Sequence, residues 1–584
     1  MSGDGFEMSA APHAAVAMTH AIEAEAHARP PALDANTICE AFQLTAAQRP
    51  DEIALRTPGG GVEITWRDYS RRVEAIASGL AALGIGRGDT VGLMMLNRPE
   101  FNLLDTAAIH LGATPFSIYN TSSPEQIQHL FANAENRVIV CERQFLETVR
   151  AARTPDVEHV VLVDGSHDGT LSLAALEAGG APSFDFEASW RSVGPQDILT
   201  LIYTSGTTGP PKGVQLTHAN MLAECRAVAP VLPMRAGGRA MSYLPSAHLA
   251  DRWSAYYHPL IMYGATVTAV PDPRQVVTAL PEVRPTIWGS VPRIWEKMKA
   301  ALEAQGVLDP GTMPAPAKAA VRAELGLDQA EWLISGAAPI PASVLEYFLA
   351  LGLEICEVWG MSELSCCATI NPPGDIRIGT VGRALAGTEL KLAGDRELLC
   401  RGPLVMKGYR NEPQKTAETI DDDGWLHTGD IAEIDEDGYV RIVDRKKELI
   451  INAAGKNMSP ANIEQHLKES SVLVGQAICI GDRRPYNVAL IVLDPDACAQ
   501  WAAKRRLPDA SAASLARNSD VQAEVARGVN EANGRLSRVE QIKRFAVLPV
   551  DWEPGGEELT PTMKLKRKPI HEKYAAEIDE LYSR

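Results

Sequence analysis

The stretch ILTLIYTSGTTGPPKGVQLTHANML, residues 198–222, decides how the rest of the chain is read. Its apolar start predicts a buried strand that runs into TSGTTGPPKG, and a helix follows with Thr217 as its N-cap. Gly206 and Gly209 let backbone amides turn toward an anion with no Cβ in the way. Thr204, Ser205, Thr207 and Thr208 add hydroxyl donors, and Lys212 adds charge. Together they suit a polyphosphate, the β- and γ-phosphates of a nucleotide. Composition alone also fits a polar surface loop, although such a run of hydroxyls and glycines after a buried strand is unusual. A P-loop requires Ser or Thr after its lysine, whereas Lys212 lies between Pro211 and Gly213, which argues against a P-loop NTPase.

Apolar strands alternate with amphipathic helices on both sides of this segment, as far as about residue 360, which indicates α/β layering. One helix lies in RRVEAIASGLAALG, where Val73, Ile76, Leu80 and Leu83 recur at helical spacing. GIGRGD (84–89) stops it, and TVGLMML (90–96) reads as a strand. Those glycines follow a helix and precede a strand, the reverse of a dinucleotide fingerprint. The Pro- and Gly-rich stretches 309–317 and 371–374 read as loops. From about 386 the pattern shifts to short strands, then to the charged run DRKKE (444–448). Beyond it comes helix 459–470, strands 475–481 and 487–493, further helices and a basic end. The expected fold is mixed α/β: a tail over 1–36, a large domain of layered sheets and helices over 37–446, and a small α+β cap over 447–584.

The 584 residues carry 56 Lys and Arg against 74 Asp and Glu, a net charge of −18 that lacks the footprint of a nucleic-acid binder. Nine scattered cysteines without a CxxC pair read as reduced core thiols in a cytoplasmic protein. No apolar run is long enough to span a membrane.

YTSGTTGPPKG resembles the signature of the adenylate-forming (AMP-binding) superfamily, which includes acyl-CoA synthetases, coumarate ligases, luciferases and peptide-synthetase adenylation domains. Related motifs recur in the expected order from about residue 40 to 570. In LPSAHLADRW (244–253), the resemblance brings His248 to the carboxylate pocket; a helix-cap or core histidine is the plainer reading. LISGAAPI (333–340) and EVWGMSE (357–363) imply that Gly336 and Ala337 border the adenine and Trp359 stacks on it beside Gly360. Ser362 then approaches the α-phosphate, and Glu363 holds Mg²⁺. Trp359 and Ser362 stand where the family commonly has Tyr and Thr, which keeps a flat face and a hydroxyl. DGWLHTGD (423–430) supplies Asp430 for the ribose, and VDRKKELI (443–450) supplies Arg445, with Lys447 as the hinge.

PTMK (561–564) is similar to the family's PTGK element, with Met563 in place of glycine, and implies that Lys564 completes the adenylation site. NAAGKNMSP (452–460) places Gly455 and Lys456 at the coenzyme A channel. The resemblance thus assigns catalysis to Lys564, Thr208, His248 and Glu363, with ATP, Mg²⁺ and coenzyme A as reactants and cofactor. GSVPRIWEKM (289–298) looks like long-chain and bubblegum-type acyl-CoA synthetases, which implies a long-chain fatty acid substrate; any peripheral membrane contact is expected only through that substrate. Trp253, Tyr256, Tyr257 and Trp288 are equally readable as acyl-tunnel lining or plain core. The alternatives are an acyl-AMP ligase serving a carrier protein in trans and a nucleotide-binding homologue without catalysis. Nothing in the sequence sets an oligomeric state.

Overall fold

The computed structural model describes residues 29–204, 210–451, 457–560 and 563–583. The central sheet has eight strands. Thr90–Met94, Thr114–Ser117, Val138–Cys141, His159–Leu162 and Ile198–Thr204 lie parallel within it, and Lys212–Thr217 closes antiparallel onto Ile198–Thr204. In a second sheet, Ile287–Ser290, Trp332–Ser335 and Ile355–Trp359 run parallel. A third, antiparallel sheet holds Glu389–Leu392, Glu397–Arg401, Leu426–Ile434 and Val440–Arg445. A fourth sheet contains Arg239–Ser242 and Thr266–Ala269. The C-terminal part has its own three-stranded sheet, Val474–Ile480, Asn487–Leu493 and Ile542–Leu548, around a separate apolar core.

Local chemistry accounts for the elements. Helix Trp66–Ala82 starts where Thr65 accepts the amide of Asp68, and buries Trp66, Tyr69, Val73, Ile76 and Leu80 on one stripe. Gly84, at φ +80°, ends it before strand Thr90–Met94, so GIGRGD is a cap and turn. Thr217 caps helix His218–Val228 in a reciprocal box with Asn220.

Three expectations differ. The phosphate loop joins two antiparallel strands instead of opening straight into a helix, because Val214 and Leu216 bury on the central sheet. The 309–317 stretch is not all loop. Helix Ala315–Glu324 begins inside it, since a proline in the first helical turn has no hydrogen bond to lose. The expected tail over 1–36 also ends early. Ala32, Leu33 and Ala35 are buried, and the Arg226 guanidinium donates to the carbonyls of Leu33 and Ala35, both at 2.6 Å. Eight of the nine cysteines are buried, and all are free. No helix among the described residues is long and apolar enough to cross a membrane.

Candidate active site

The carboxyl ends of the first two sheets, the third sheet and the C-terminal part enclose one cleft of about 2270 Å³. Open α/β sheets bind ligands at such strand ends. Thr204, Lys212, His248, Gly336, Ala337, Trp359, Gly360, Ser362, Glu363, Asp430, Arg445, Lys447 and Lys564 all line it. Ser205, Gly206, Thr207, Thr208, Gly209, Gly455 and Lys456 lie outside the described residues.

Thr204 ends its strand opposite Lys212. The Lys212 ammonium sits 3.9 Å from the centre of the Tyr409 ring. Burial lowers its pKa, and the Glu363 carboxylate opposes that shift. Glu363 is 6% exposed, on the turn Ser362–Leu364, and its Oε1 accepts the Tyr409 hydroxyl at 2.8 Å.

The turn that carries these groups is tight. A Cβ on Gly360 would come 1.9 Å from the Cys366 carbonyl oxygen, so only glycine fits. Ala337 adopts φ +69°, a left-handed conformation costly for a residue with a Cβ.

Trp359 does more than offer a flat face, because its indole Nε1 donates to Asp430 Oδ2 at 2.8 Å. Asp430 and Arg445 are cross-strand partners, and Arg445 Nε lies 2.7 Å from Asp430 Oδ1. Burial raises the Asp430 pKa, countered chiefly by Arg445. The carboxylate is therefore already oriented by two donors on different elements.

His248 is the N-cap of the turn Leu249–Asp251, its Nδ1 accepting from the Ala250 amide at 3.1 Å. The cap reading of this histidine holds, and the residue also faces the cleft. An accepting Nδ1 puts the proton of the neutral ring on Nε2. Burial, then the nearby Lys564, pull its pKa down to about 4, so the ring is neutral at pH 7.

Lys564 is held through its backbone. Its amide donates to Thr560 Oγ1 at 2.9 Å, and its carbonyl accepts from the Thr560 amide at 2.8 Å. The side chain stays open to water in the cleft, yet the protein around it and then Arg445 lower its pKa, opposed by Asp430, Glu448 and Glu363. Met563, where the related element has glycine, adopts φ +65°.

On either side of Lys447 the side chains are tied in opposite directions, while the Glu448 and Leu449 amides donate to the Arg445 carbonyl across it. Lys446 Nζ reaches Asp395 at 2.6 Å and Glu397 at 2.8 Å in the third sheet. Glu448 instead accepts from Arg567 at 3.0 Å, and Arg567 pairs with buried Glu464 at 2.6 Å.

Sequence reasoning missed several groups. Tyr409, which touches both Lys212 and Glu363, is far from both in sequence and carries no spacing signal. Arg252 and Asp105, each 0% exposed, pair at 2.5 Å behind the His248 turn. Arg252 also donates to the Ser246 carbonyl, the Tyr257 hydroxyl and Ser117 Oγ. A charge inside each of the apolar runs FNLLDTAAIH and HLADRWSAYY was the available signal. Of the four aromatic candidates, Trp253 lines the cleft. Tyr256, Tyr257 and Trp288 are core.

Layered α/β sheets that converge on one cleft, with a small C-terminal part returning a lysine into it, are the layout of an adenylate-forming enzyme. The chain belongs to the AMP-binding enzyme family: residues 42–410 match its main model, and residues 447–584 match the AMP-binding enzyme C-terminal domain. A protein of Mycobacterium tuberculosis assigned as the fatty-acid–CoA ligase fadD11 is 53% identical over 452 residues, 71% of this chain and 79% of that one. The long-chain-fatty-acid–CoA ligase FadD15 of the same organism is 35% identical, covering 92% of this chain and 95% of its own length. Among solved structures, the A domain of carboxylic acid reductase from Segniliparus rugosus superposes with a TM-score of 0.79 at 19% identity, over 98% of this chain and 99% of that one. That likeness concerns the fold.

Proposed function

We propose that this protein activates a long-chain fatty acid with ATP and passes the acyl group to coenzyme A. A carboxylate oxygen attacks the α-phosphorus, the bond to the bridging oxygen of the β-phosphate breaks, and pyrophosphate leaves. The coenzyme A thiol then attacks the acyl carbonyl, loses its proton to solvent and expels AMP. The observation that carries this reading is that Lys564, Asp430, Arg445 and Glu363 line one cleft. An ammonium there neutralises the carboxylate and α-phosphate as they are brought together, and orients both for in-line attack.

In this reading Asp430, held by Trp359 and Arg445, receives the ribose hydroxyls, and Trp359 offers its face to the adenine. The loop from Thr204 to Lys212 takes the β- and γ-phosphates. Neutral His248 donates from Nε2 to the substrate carboxylate. Glu363 suits Mg²⁺: Tyr409 fixes one oxygen, and among the described residues no bond holds the other, so the ion would keep most of its shell for water and phosphate. Among the described residues no cluster of three or more His, Cys, Asp or Glu forms a closed metal cage, and this mode of binding needs none. The ion would neutralise charge on the leaving pyrophosphate.

Lys447 is the hinge in this account. What supports it is that the Lys446 side chain bonds to the large body and the Glu448 side chain to the small one, so the side-chain ties diverge at Lys447. Turning there withdraws Lys564 and brings in the segment with Gly455 and Lys456 for the thiol.

The test is AMP release from ATP over acids from acetate to very long chains, with and without coenzyme A. Turnover of long-chain acids that needs coenzyme A is expected. Activity confined to amino or aromatic acids overturns the substrate class. Adenylate that discharges only onto a carrier protein overturns the acceptor.

A further inference from the structure

Two ion pairs join the C-terminal part to the large body, well away from Lys447 in sequence. Arg293 pairs with Asp494, and Lys297 Nζ lies 2.6 Å from Asp496 Oδ2. Arg293 and Lys297 stand four residues apart on helix Pro292–Ala304, and so share a face. Trp295, Met298 and Leu302 of the same helix are locked into the core. The basic face therefore has a fixed direction.

The acidic side is equally constrained. Asp494 is the N-cap of helix Pro495–Arg505, and its Oδ1 accepts from the Ala497 amide at 2.8 Å, while Oδ2 meets Arg293. The Asp494 amide is bonded to the Leu473 carbonyl at 2.9 Å. Arg293 is braced by Glu296 at 3.0 Å. The inner pair is partly buried, with Arg293 26% and Asp494 9% exposed, whereas Lys297 and Asp496 are 51% and 65% exposed. Water screens the outer pair, so the inner one contributes more.

The strand that ends just before Asp494 pairs in parallel with Ile542–Leu548, the strand that leads toward the Lys564 segment. A force on Asp494 is thus transmitted through a hydrogen-bonded sheet. Gly555 of that segment also abuts Thr121 of the large body, where a Cβ would come within 2.7 Å.

We propose that Arg293 and Lys297, with Asp494 and Asp496, form a charged latch that holds Lys564 in the cleft for adenylation and parts when the second half-reaction begins. These four are positioning residues, since they act through the orientation of the C-terminal part. The inference rests on the two-step reading above.

Each half-reaction proceeds in proportion to the population of its own orientation. The ratio of the two rates therefore follows the conformational equilibrium, whichever orientation predominates. The readout is ATP–pyrophosphate exchange divided by thioester formation from supplied acyl-adenylate. Arg293→Gln with Asp494→Asn, where Asn keeps the helix cap, is expected to lower that ratio about tenfold. Lys297→Asp lowers it about threefold, and adding Asp496→Lys restores it. Higher ionic strength lowers the ratio in the wild type and much less in the neutralised pair. A ratio unchanged by these substitutions, or both half-reactions falling together, overturns the latch. Wild-type protein that forms no adenylate from any acid overturns the two-step reading itself.

Discussion

On the large-body wall of the cleft, the functional carboxylates are tied to partners on other elements. Asp430 receives Trp359 and Arg445, and Glu363 receives Tyr409. On the opposite wall, Lys564 is fixed by its backbone to Thr560, while its ammonium feels the repulsion of Arg445 and the attraction of Asp430 and Glu363. The contrast teaches what each wall is for. In the proposed reading Asp430 and Glu363 serve ATP throughout, and such groups gain from orientation fixed in advance, which costs nothing at the moment of reaction. Lys564 enters and leaves in that reading, and such a group is better served by opposed longer-range charge interactions than by a fixed bond.

Breaking the pinned wall from behind has the largest expected effect. Arg252→Met strands Asp105 as a buried, uncompensated charge, and should cost about 3–5 kcal/mol of stability, read from the urea midpoint at constant slope. Next comes Glu363→Gln, which removes the charge proposed to bind Mg²⁺ while keeping the shape. Adenylate formation should fall about 100-fold or more, and extra Mg²⁺ should recover only part of it. Trp359→Phe keeps the flat face and deletes the donor to Asp430. The KM for ATP is expected to rise about tenfold, the loss of one hydrogen bond to a charged group, with kcat nearly unchanged. A KM that stays the same would show that the indole N–H does not preorganise Asp430.

The most gradual expected effect concerns pH. Burial raises the Glu357 carboxyl, on the strand that carries Trp359, to about 8 from about 4.5, so the folded protein holds a proton that the unfolded chain releases. Stability should therefore decline as pH rises from about 4.5 through about 8, by about 1.4 kcal/mol per unit at most. Glu357→Gln should flatten that stretch of the profile and leave the variant more stable at the alkaline end. Thermal midpoints across the range check this.

Much of this contrast was legible in the amino-acid order. Glu363, Asp430, Arg445 and Lys564 each lie in a motif, and all four face one cleft. The Thr217 cap and the glycine stop at 84 follow from local chemistry alone. What escaped depends on distant segments meeting. The bonds of Tyr409 to Glu363 and of Trp359 to Asp430 span sheets, and no periodicity announces them. Likewise, Val214 and Leu216 read as a lead-in to a helix until the central sheet offers a strand to pair with. Burial of Leu33 needs the body it packs against, which a tail rich in Ala and Pro does not reveal.

The most direct test of the account separates the two half-reactions in Lys564→Ala. ATP–pyrophosphate exchange with a long-chain acid should fall by about 100- to 1000-fold, while coenzyme A thioester formation from supplied acyl-adenylate stays within about twofold of wild type. Equal losses in both steps would contradict a lysine that serves adenylation and then withdraws.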